Sequence, residues 1–392
     1  MKQLYKYIAI LIISLFYIPL QAKEINVEKA GTLPSLIGDE KLTVEDLTLS
    51  GTLNGTDIRC IRQMKMLRTL DMTECKIAEG GAYYYRVTTY PEHDCYTKND
   101  TIGEYMFINQ DSLRSVRLPM SIKSIEQYSF SDCDSLHNVT LQEGIKSIGN
   151  YAFQNAGLQV ISIPASTDSI SKTALLNSPL LTAFMVHNDN VTYCSEDGVL
   201  YSKDKKKLLN YPQSKELPAE LTLPDYIEVI EDRVFQGRKT LNKVIVGNKT
   251  VAIGEKAFSD CISLTEVILP ESLKKIGDAA FYGCYGLANI NFPKCLEYIG
   301  IEAFYYCGKL TKAHLPEKIT QLKNSTFCHS GLVDVILPSH LEIIEEDAFW
   351  DCKIVSIILP KSLKEIKNSA FGNSIYNHRT TKTNQKYPSV NL

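Results

Sequence analysis

The fold is decided by a stretch that begins at Phe258 and returns to the same residue type at Phe281. Residues 258–281 read FSDCISLTEVILPESLKKIGDAAF, and the following repeat copies its apolar positions. The Phe usually follows a small residue and recurs every 23 residues within two runs, then twice at intervals of 22. These positions are Phe107, Phe130, Phe153, Phe235, Phe258, Phe281, Phe304, Phe327, Phe349 and Phe371.

This period predicts a solenoid, because repeats of roughly 20 to 30 residues bury their apolar side chains only against their neighbours. In each repeat a segment such as Val267-Ile268-Leu269-Pro270 alternates inward and outward positions. It predicts one short strand in a parallel sheet, ended by the Pro. The segment 276–287 predicts a turn with a short helical or 3₁₀ piece. The expected fold class is an α/β-type repeat solenoid of short strands and turns with little helix.

Composition indicates an ordinary folded chain with no strong charge bias. Of the 392 residues, 44% are hydrophobic and 22% are charged, and the formal net charge is -3. A basic surface for nucleic acid is therefore not expected. Because a repeat array grows without one central core, the length predicts an elongated repeat domain rather than several globular domains.

The first 22 residues are predicted to be a secretory signal peptide. Lys2 and Lys6 precede the apolar run 8–18, and Ala22 supplies a small residue for cleavage. A transmembrane anchor is the alternative, but the run is well short of the ~20 apolar residues that cross a bilayer. We therefore expect an exported chain without a membrane span. A lipid anchor is not expected, because the first cysteine is Cys60.

The repeat motif Leu-x-x-Val-x-Leu-Pro-x-Ser-Leu-x-x-Ile-Gly-x-x-Ala-Phe-x-x-Cys resembles that of BspA-like leucine-rich repeats in secreted and surface proteins of bacteria. The resemblance covers about residues 100–375, and residues 30–79 resemble the N-terminal region of such proteins. It implies a leucine-rich repeat fold with the parallel sheet on the concave face. It also implies a protein partner in adhesion to a host, to matrix or to other bacteria, at the cell surface, outside the cell or in the periplasm.

The sequence thus predicts a capping region at 23–99, a solenoid at 100–375 and a polar, disordered tail at 376–392. Within the solenoid the rhythm is lost between Leu175 and Phe235, where Asp197-Gly198 between apolar segments predicts a β-hairpin inserted at about 187–215. Within the cap, the region 80–99 is rich in tyrosine. It is either a binding surface, since Tyr offers broad contact at low entropic cost, or a cover for the first coil. Its candidate contact residues are Tyr83, Tyr84 and Tyr85.

Cysteine usage indicates packing rather than chemistry. Five of the eleven cysteines occupy the third position after the Phe, where a solenoid would stack them about 4.7 to 5 Å apart. Disulfides could form at that spacing, but reduced packing groups are expected. Because the chain has no Cys-x-x-Cys pair and its His are scattered, neither a metal site nor a cofactor is predicted. No catalytic motif is present, and no enzyme is expected.

The residue between the two inward positions of each strand forms an outward column. Its first half is polar, whereas its second half contains isoleucines rimmed by charged residues, which is typical of a partner site. We therefore predict that the concave sheet binds a protein. Strand propensity alone could also explain the isoleucines, and a structural or glycan-associated envelope role is the alternative function. The predicted contact residues in this column are Ile245, Ile268, Asn291, His314, Ile336 and Ile358.

Overall fold

The computed structural model describes residues 22–374, which divide into two compact units after Tyr193. Each unit is built from stacked coils, with one sequence repeat in each coil. The predicted repeat solenoid of short strands, parallel sheets and little helix is therefore confirmed within each unit. The predicted signal peptide, apart from Ala22, and the predicted tail lie outside the described residues.

The first unit contains three parallel sheets and one antiparallel hairpin. Its strands are β1 (Ala22–Val27), β2 (Asp46–Leu53), β3 (Thr69–Ile77), β4 (Gly80–Val87), β5 (His93–Thr97), β6 (Thr101–Ile102), β7 (Ser115–Arg117), β8 (Ser124–Ile125), β9 (Asn138–Thr140), β10 (Ser147–Ile148), β11 (Val160–Ile163), β12 (Ser169–Ile170) and β13 (Ala183–Val186). The parallel sheets have the orders β1-β2-β3-β7-β9, β6-β8-β10-β12 and β11-β13, and β4 pairs with β5.

A strand, a helix and a strand begin this unit, held together by one buried carboxylate. Asn54 and Asp57 form a capping box, in which Asp57 accepts a hydrogen bond from the Asn54 N–H at 2.9 Å. The fully buried Asp57 also accepts the N–H of Gly31 at 2.6 Å and of Leu33 at 2.9 Å. Asp57 therefore holds the segment that follows β1 against the helix that begins at Gly55. The helical elements here are α1 (Leu33–Ile37), a 3₁₀ turn (Gly38–Leu42) and α2 (Gly55–Ile61).

The second unit begins with an antiparallel pair, in which β15 pairs with β16, and β16 then joins the parallel strand β18 of the coils that follow. Its strands are β14 (Tyr193–Glu196), β15 (Val199–Ser202), β16 (Lys207–Asn210), β17 (Glu220–Thr222), β18 (Val229–Ile230), β19 (Lys243–Ile245), β20 (Ala252–Ile253), β21 (Glu266–Ile268), β22 (Lys275–Ile276), β23 (Asn289–Ile290), β24 (Tyr298–Ile299), β25 (Lys312–His314), β26 (Gln321–Leu322), β27 (Asp334–Ile336), β28 (Ile343–Ile344) and β29 (Glu365–Ile366). The sheet orders are β14-β15-β16-β18-β20-β22-β24, β17-β19-β21-β23, β25-β27 and β26-β28-β29.

Most coils carry two short strands, where the sequence predicts only one. In the coil of Phe258, β21 is followed by β22, in which Ile276 is buried and Lys275 is exposed. Ile276 pairs in register with Ile299 of the next coil. The second strand escapes prediction because two residues supply only one inward side chain, which is too little to show an alternating pattern.

The chain around each Phe is a run of turns, and the helical or 3₁₀ piece predicted there is wrong. Two residues before Phe258, Lys256 has a φ of 53°, and two residues after it, Asp260 has a φ of 59°. A right-handed helix cannot include such left-handed residues. The second of these positions is usually Asn, Asp or Gly, the residues that tolerate this region best. They are Asn109, Asp132, Asn155, Asn177, Gly237, Asp260, Gly283, Asp351 and Asn373.

The Phe side chains form a buried ladder through each unit. The ring centroids of Phe258 and Phe281 are 5.3 Å apart and those of Phe281 and Phe304 are also 5.3 Å apart, with nearly parallel planes. The backbone also connects neighbouring coils, because the N–H of Phe281 donates to the carbonyl of Ala303 in the next coil at 2.9 Å. Each Phe therefore depends on its neighbouring coils for both ring contact and hydrogen bonding.

The cysteines after the Phe connect coils through hydrogen bonds. Cys284 Sγ donates to the carbonyl of Phe258 in the preceding coil at 3.1 Å. The hydroxyls of Ser178 and Ser374 make the equivalent contact where Ser replaces Cys. None of the eleven cysteines forms a disulfide. Burial raises the pKa of the thiol of Cys261 to about 12, so the reactive thiolate is disfavoured. The other thiols that donate to a Phe carbonyl are Cys133, Cys261, Cys307 and Cys352.

Replacing Phe281 by Ala should lower the free energy of unfolding of the second unit by about 3 to 5 kcal/mol, because a ring of the ladder is lost. Denaturant titration followed by circular dichroism measures this. Tyr285→Ala is the control, because Tyr285 lies in the same coil with 52% of its surface exposed; it should cost about 1 kcal/mol or less. Equal losses for the two variants would contradict a stabilising ladder.

The folded protein should react with an aromatic disulfide reagent mainly at Cys194 and Cys295, which are only partly buried. The thiols after the Phe should stay unlabelled even when the pH is raised from about 7 to about 9, because thiols whose pKa has been raised to about 12, such as Cys133, remain protonated there. Unfolding in guanidinium should make all eleven thiols reactive. The double variant Cys194→Ser, Cys295→Ser should lack the rapid labelling that these two thiols give in the folded protein. Rapid labelling that persists in this variant would contradict the account.

Candidate partner-binding surface

The outward residues of the strands of the second unit form a surface that we call the strand face. Ile245 pairs in register with Ile268, and His314 pairs with Ile336. Ile268 is 38% exposed and Ile336 is 52% exposed, whereas Ile245 is half-buried. The structure therefore places apolar side chains of the predicted column at the surface of two pairs of adjacent strands, β19 with β21 and β25 with β27.

Ile358, the last predicted contact residue, is 86% exposed but lies outside any strand. Its coil contributes only β29 to a sheet, and the corresponding first strand is not formed among the described residues. Ile358 is thus available to a partner, although it is not held by the ladder that positions Ile336.

Charged side chains on the strand face pair with one another across adjacent strands. Lys243 Nζ lies 2.7 Å from Glu266 Oε2, and this hydrogen bond raises the pKa of the Lys243 ammonium. His314 Nε2 lies 3.5 Å from Asp334 Oδ2. The isoleucines are therefore rimmed by an ion pair and by polar side chains, which favours mixed polar contact rather than attraction of a strongly charged ligand.

Asn291 interrupts the sheet of the strand face. Elsewhere, an N–H such as that of Val246 donates to the main-chain carbonyl of the next coil, here Ile268 at 3.0 Å. At Asn291 the side chain takes this role, because its Oδ1 accepts the Leu269 N–H and its Nδ2 donates to the Leu269 carbonyl, both at 2.9 Å. Strand β23 ends before Asn291, and β23 and β25 belong to separate sheets. Asn291 therefore shapes the face, but its amide is already committed to Leu269.

An open depression of about 650 Å³ lies where the sheet is interrupted. Ile268 is its exposed apolar residue, and Glu266 and Lys312 contribute opposite charges. The depression brings together Ile268 and Asn291 of the predicted residues, but not His314, Ile336 or Ile358. It is lined by Glu266, Val267, Ile268, Ala288, Asn289, Ile290, Asn291, Thr311 and Lys312.

The predicted tyrosine contacts of the first unit lie on the β4–β5 hairpin and mainly pack. Tyr84 is 5% exposed and donates its hydroxyl to the Glu104 carbonyl at 2.9 Å, so it is not available to a partner and its assignment as a contact residue is corrected. Tyr83 is half-buried beneath Arg59. Tyr85 stacks on Tyr105 at 5.4 Å. The hairpin therefore covers the first coil, with only part of Tyr83 and Tyr85 exposed.

A second candidate surface is an aromatic cluster that the repeat motif conceals. Tyr306 stacks on His329 with 4.8 Å between ring centroids and meets Tyr305 edge-on at 4.6 Å, while Tyr282 stacks on Tyr305 at 5.2 Å. Tyr285 borders the group and is half exposed. The signal was in the sequence: the first position after the buried Phe is aromatic in two adjacent repeats, at Tyr282 and Tyr305, and so is the second, at Tyr306 and His329.

Two members of this cluster occupy an unfavourable backbone position. Tyr306 has a φ of 59° and His329 a φ of 54°, at the position that other coils fill with Asn, Asp or Gly. A bulky side chain in this left-handed region costs free energy, and such residues concentrate at functional sites. The turn itself does not require an aromatic side chain at this position, since most coils place Asn, Asp or Gly there.

A fold of stacked coils with parallel sheets of short strands defines the class of solenoid repeat proteins. The chain belongs to the BspA type leucine rich repeat family, whose sequence profile matches residues 100–217, 213–332 and 320–387 with six copies. No curated protein matches the chain. Within residues 22–374, the helices are too short and too polar to cross a bilayer.

Solved structures share this fold at low sequence identity. A leucine-rich repeat protein from Eubacterium ventriosum aligns with a TM-score of 0.64 and 23% identity, over 82% of this chain and 86% of that chain. The pneumococcal vaccine antigen PcpA aligns with a TM-score of 0.54 and 20% identity, over 84% and 79%. A leucine-rich repeat protein from Bacteroides ovatus aligns at 0.51 and 22%, over 84% and 81%. At these identities the likeness supports the fold alone.

Proposed function

We propose that this chain is an exported surface protein that binds a protein partner through the strand face of its second unit and has no catalytic activity of its own. The observation that carries the proposal is the exposure of Ile268 and Ile336 on strands held in register, beside a depression at the sheet interruption. Exposed apolar side chains inside a polar rim are the usual composition of a protein interface.

The depression supports a protein rather than a small molecule as the occupant. It is open, and it is lined by Ile268 and Lys312 and by residues of β23, which is the last strand of its sheet. Unpaired strand edges bind the backbone of a peptide, and an adjacent apolar wall receives its side chain. A loop of a protein partner offers both a peptide backbone for the strand edge and a side chain for the apolar wall. The charged residues around the depression set the orientation in which the loop binds.

Replacing Ile268 and Ile336 by Lys should weaken binding to a captured partner by at least about tenfold, because two desolvated anchors are lost and two charges are introduced. The assay immobilises a panel of purified extracellular-matrix, serum and bacterial surface proteins and measures binding of the chain by surface plasmon resonance. A signal that falls in the variant identifies the face and its partner together.

The matched control is Ile262→Lys with Ile301→Lys, since these isoleucines are 42% and 43% exposed but lie in turns outside the strands. This double variant has the same change in charge and should bind as the unchanged chain does. If both double variants bind as well as the unchanged chain, the result would contradict a role for the strand face. Equal loss in both would indicate a charge effect and would also count against the site.

Glycan binding is the second candidate function, and the aromatic cluster favours it. Stacked rings present flat apolar faces beside polar groups, which suits sugar rings, and Tyr306 and His329 are retained there despite their left-handed backbone. A glycan panel distinguishes the two functions. Binding that Tyr306→Ala abolishes and Ile268→Lys leaves intact would replace the protein-binding proposal with this one.

Export is supported by the basic and apolar segments of residues 1–22, and display at the surface is consistent with a fold shared with a vaccine antigen. Protease added to intact cells that express the full chain should therefore remove the protein, while a cytoplasmic marker survives. A variant with Leu11→Arg and Ile13→Arg should remain inside and be protected, because charge disrupts the apolar run. Protection of the unchanged chain until the outer envelope is opened would contradict surface display.

A further inference from the structure

His93, Cys95 and Glu104 converge beside the β4–β5 hairpin of the first unit, in a group that the proposed function does not use. His93 and Cys95 lie two residues apart on β5 and therefore project from the same face, and Glu104 comes from the turn after β6. One ligand atom from each residue lies within 4.8 Å of the other two. The Cys95 Sγ to Glu104 Oε1 distance is 3.7 Å.

The hydrogen bonds around this trio orient its free electron pairs toward one point. His93 Nδ1 lies 3.0 Å from the Pro91 carbonyl, which only an N–H can satisfy, so Nε2 faces Glu104 Oε1. Gln127 Nε2 donates to the other oxygen, Glu104 Oε2, at 2.8 Å. Two acceptors that face each other require a cation between them, either a proton or a metal ion. Outer contacts of this kind commonly fix the ligands of a metal.

The donor set and the spacing suit zinc. A tetrahedral Zn²⁺ ion binds sulfur at about 2.3 Å, imidazole nitrogen at about 2.0 to 2.1 Å and carboxylate oxygen at about 2.0 to 2.2 Å. Its ligand atoms then lie roughly 3.2 to 3.8 Å apart. The Cys95 Sγ to Glu104 Oε1 distance falls in this range, whereas His93 Nε2 and Glu104 Oε1 are in direct hydrogen-bond contact and have to separate to admit the ion. His93 is exposed and Cys95 is buried, so an ion can arrive from one side and keep a water as its fourth ligand.

The nearby charges do not block the site. Glu126 accepts a hydrogen bond from Lys98 at 2.7 Å, and Arg86 is paired with Asp94 at 2.7 Å. The guanidinium of Arg62 donates to the carbonyls of Tyr105 and Met106 at 3.0 and 2.9 Å and lies over the Tyr85 ring. These cations are therefore held by partners of their own, and the Glu104 carboxylate supplies the local negative charge.

We propose that His93 Nε2, Cys95 Sγ and Glu104 Oε1 bind one Zn²⁺ ion, which ties β5 to the turn after β6. On binding, the Cys95 thiol releases its proton to water, and no electron is transferred. Cys-x-x-Cys spacing does not reveal this site, because one residue lies between the first two ligands and eight lie between the second and the third. Only closure of the hairpin over the first coil brings them together.

The test uses the full chain after treatment with a chelator, titrated with zinc against a chromophoric chelator and separately with cobalt. We expect one ion per chain and a sulfur-to-cobalt charge-transfer band in the near ultraviolet. His93→Asn and Glu104→Gln should each weaken binding by at least about tenfold. His314→Asn, the matched control at an exposed His on the strand face, should leave binding unchanged.

Zinc should also raise the melting temperature of the unchanged chain but not that of His93→Asn or Glu104→Gln. Those two side chains reach solvent, so the variants should fold, which circular dichroism checks. Three results would overturn the site: no stoichiometric zinc at micromolar concentration, equal affinity in His93→Asn and Glu104→Gln, or bound cobalt that lacks the sulfur band.

Discussion

The backbone hydrogen bond from each Phe to the next coil is the constraint on which the rest of the structure depends. The N–H of Phe258 donates to the Ala280 carbonyl, and that of Phe304 donates to the Thr326 carbonyl, both at 2.8 Å. The segment around the Phe forms no helix, so its polar groups have to be satisfied by adjacent coils. The residue before the Phe is buried as well and is small in most coils, as at Ala257 and Ala280. The thiol three residues later serves the same requirement, because it donates to a Phe carbonyl that is buried.

Much of this scaffold can be predicted from sequence, because one buried position per coil is occupied by one residue type. The interval between Phe258 and Phe281 predicts the coil length, and the alternation at Val267 and Leu269 predicts a strand. The second strand and the left-handed turns could not be predicted in the same way. The former depends on a single inward residue such as Ile276, and the latter on backbone angles for which Asp260 is only a weak signal.

The candidate surfaces were predictable to a smaller extent. Exposure of Ile268 and Ile336 follows from strand alternation, because neighbours in sequence point to opposite faces. The role of Asn291 does not follow, since an amide that replaces a backbone carbonyl leaves no trace in the repeat pattern. Burial of Tyr84 depends on how the hairpin folds over the first coil. The aromatic cluster becomes evident only when stacked coils place Tyr306 beside His329.

The left-handed turns on either side of the Phe also bear on how such an array changes over generations. Within one unit, neighbouring coils present equivalent N–H and carbonyl groups at equivalent places, as at Phe281 and Phe304. Unequal recombination that adds or removes a complete repeat therefore restores every junction. Array length can drift in whole-coil steps while the exposed positions diversify one residue at a time.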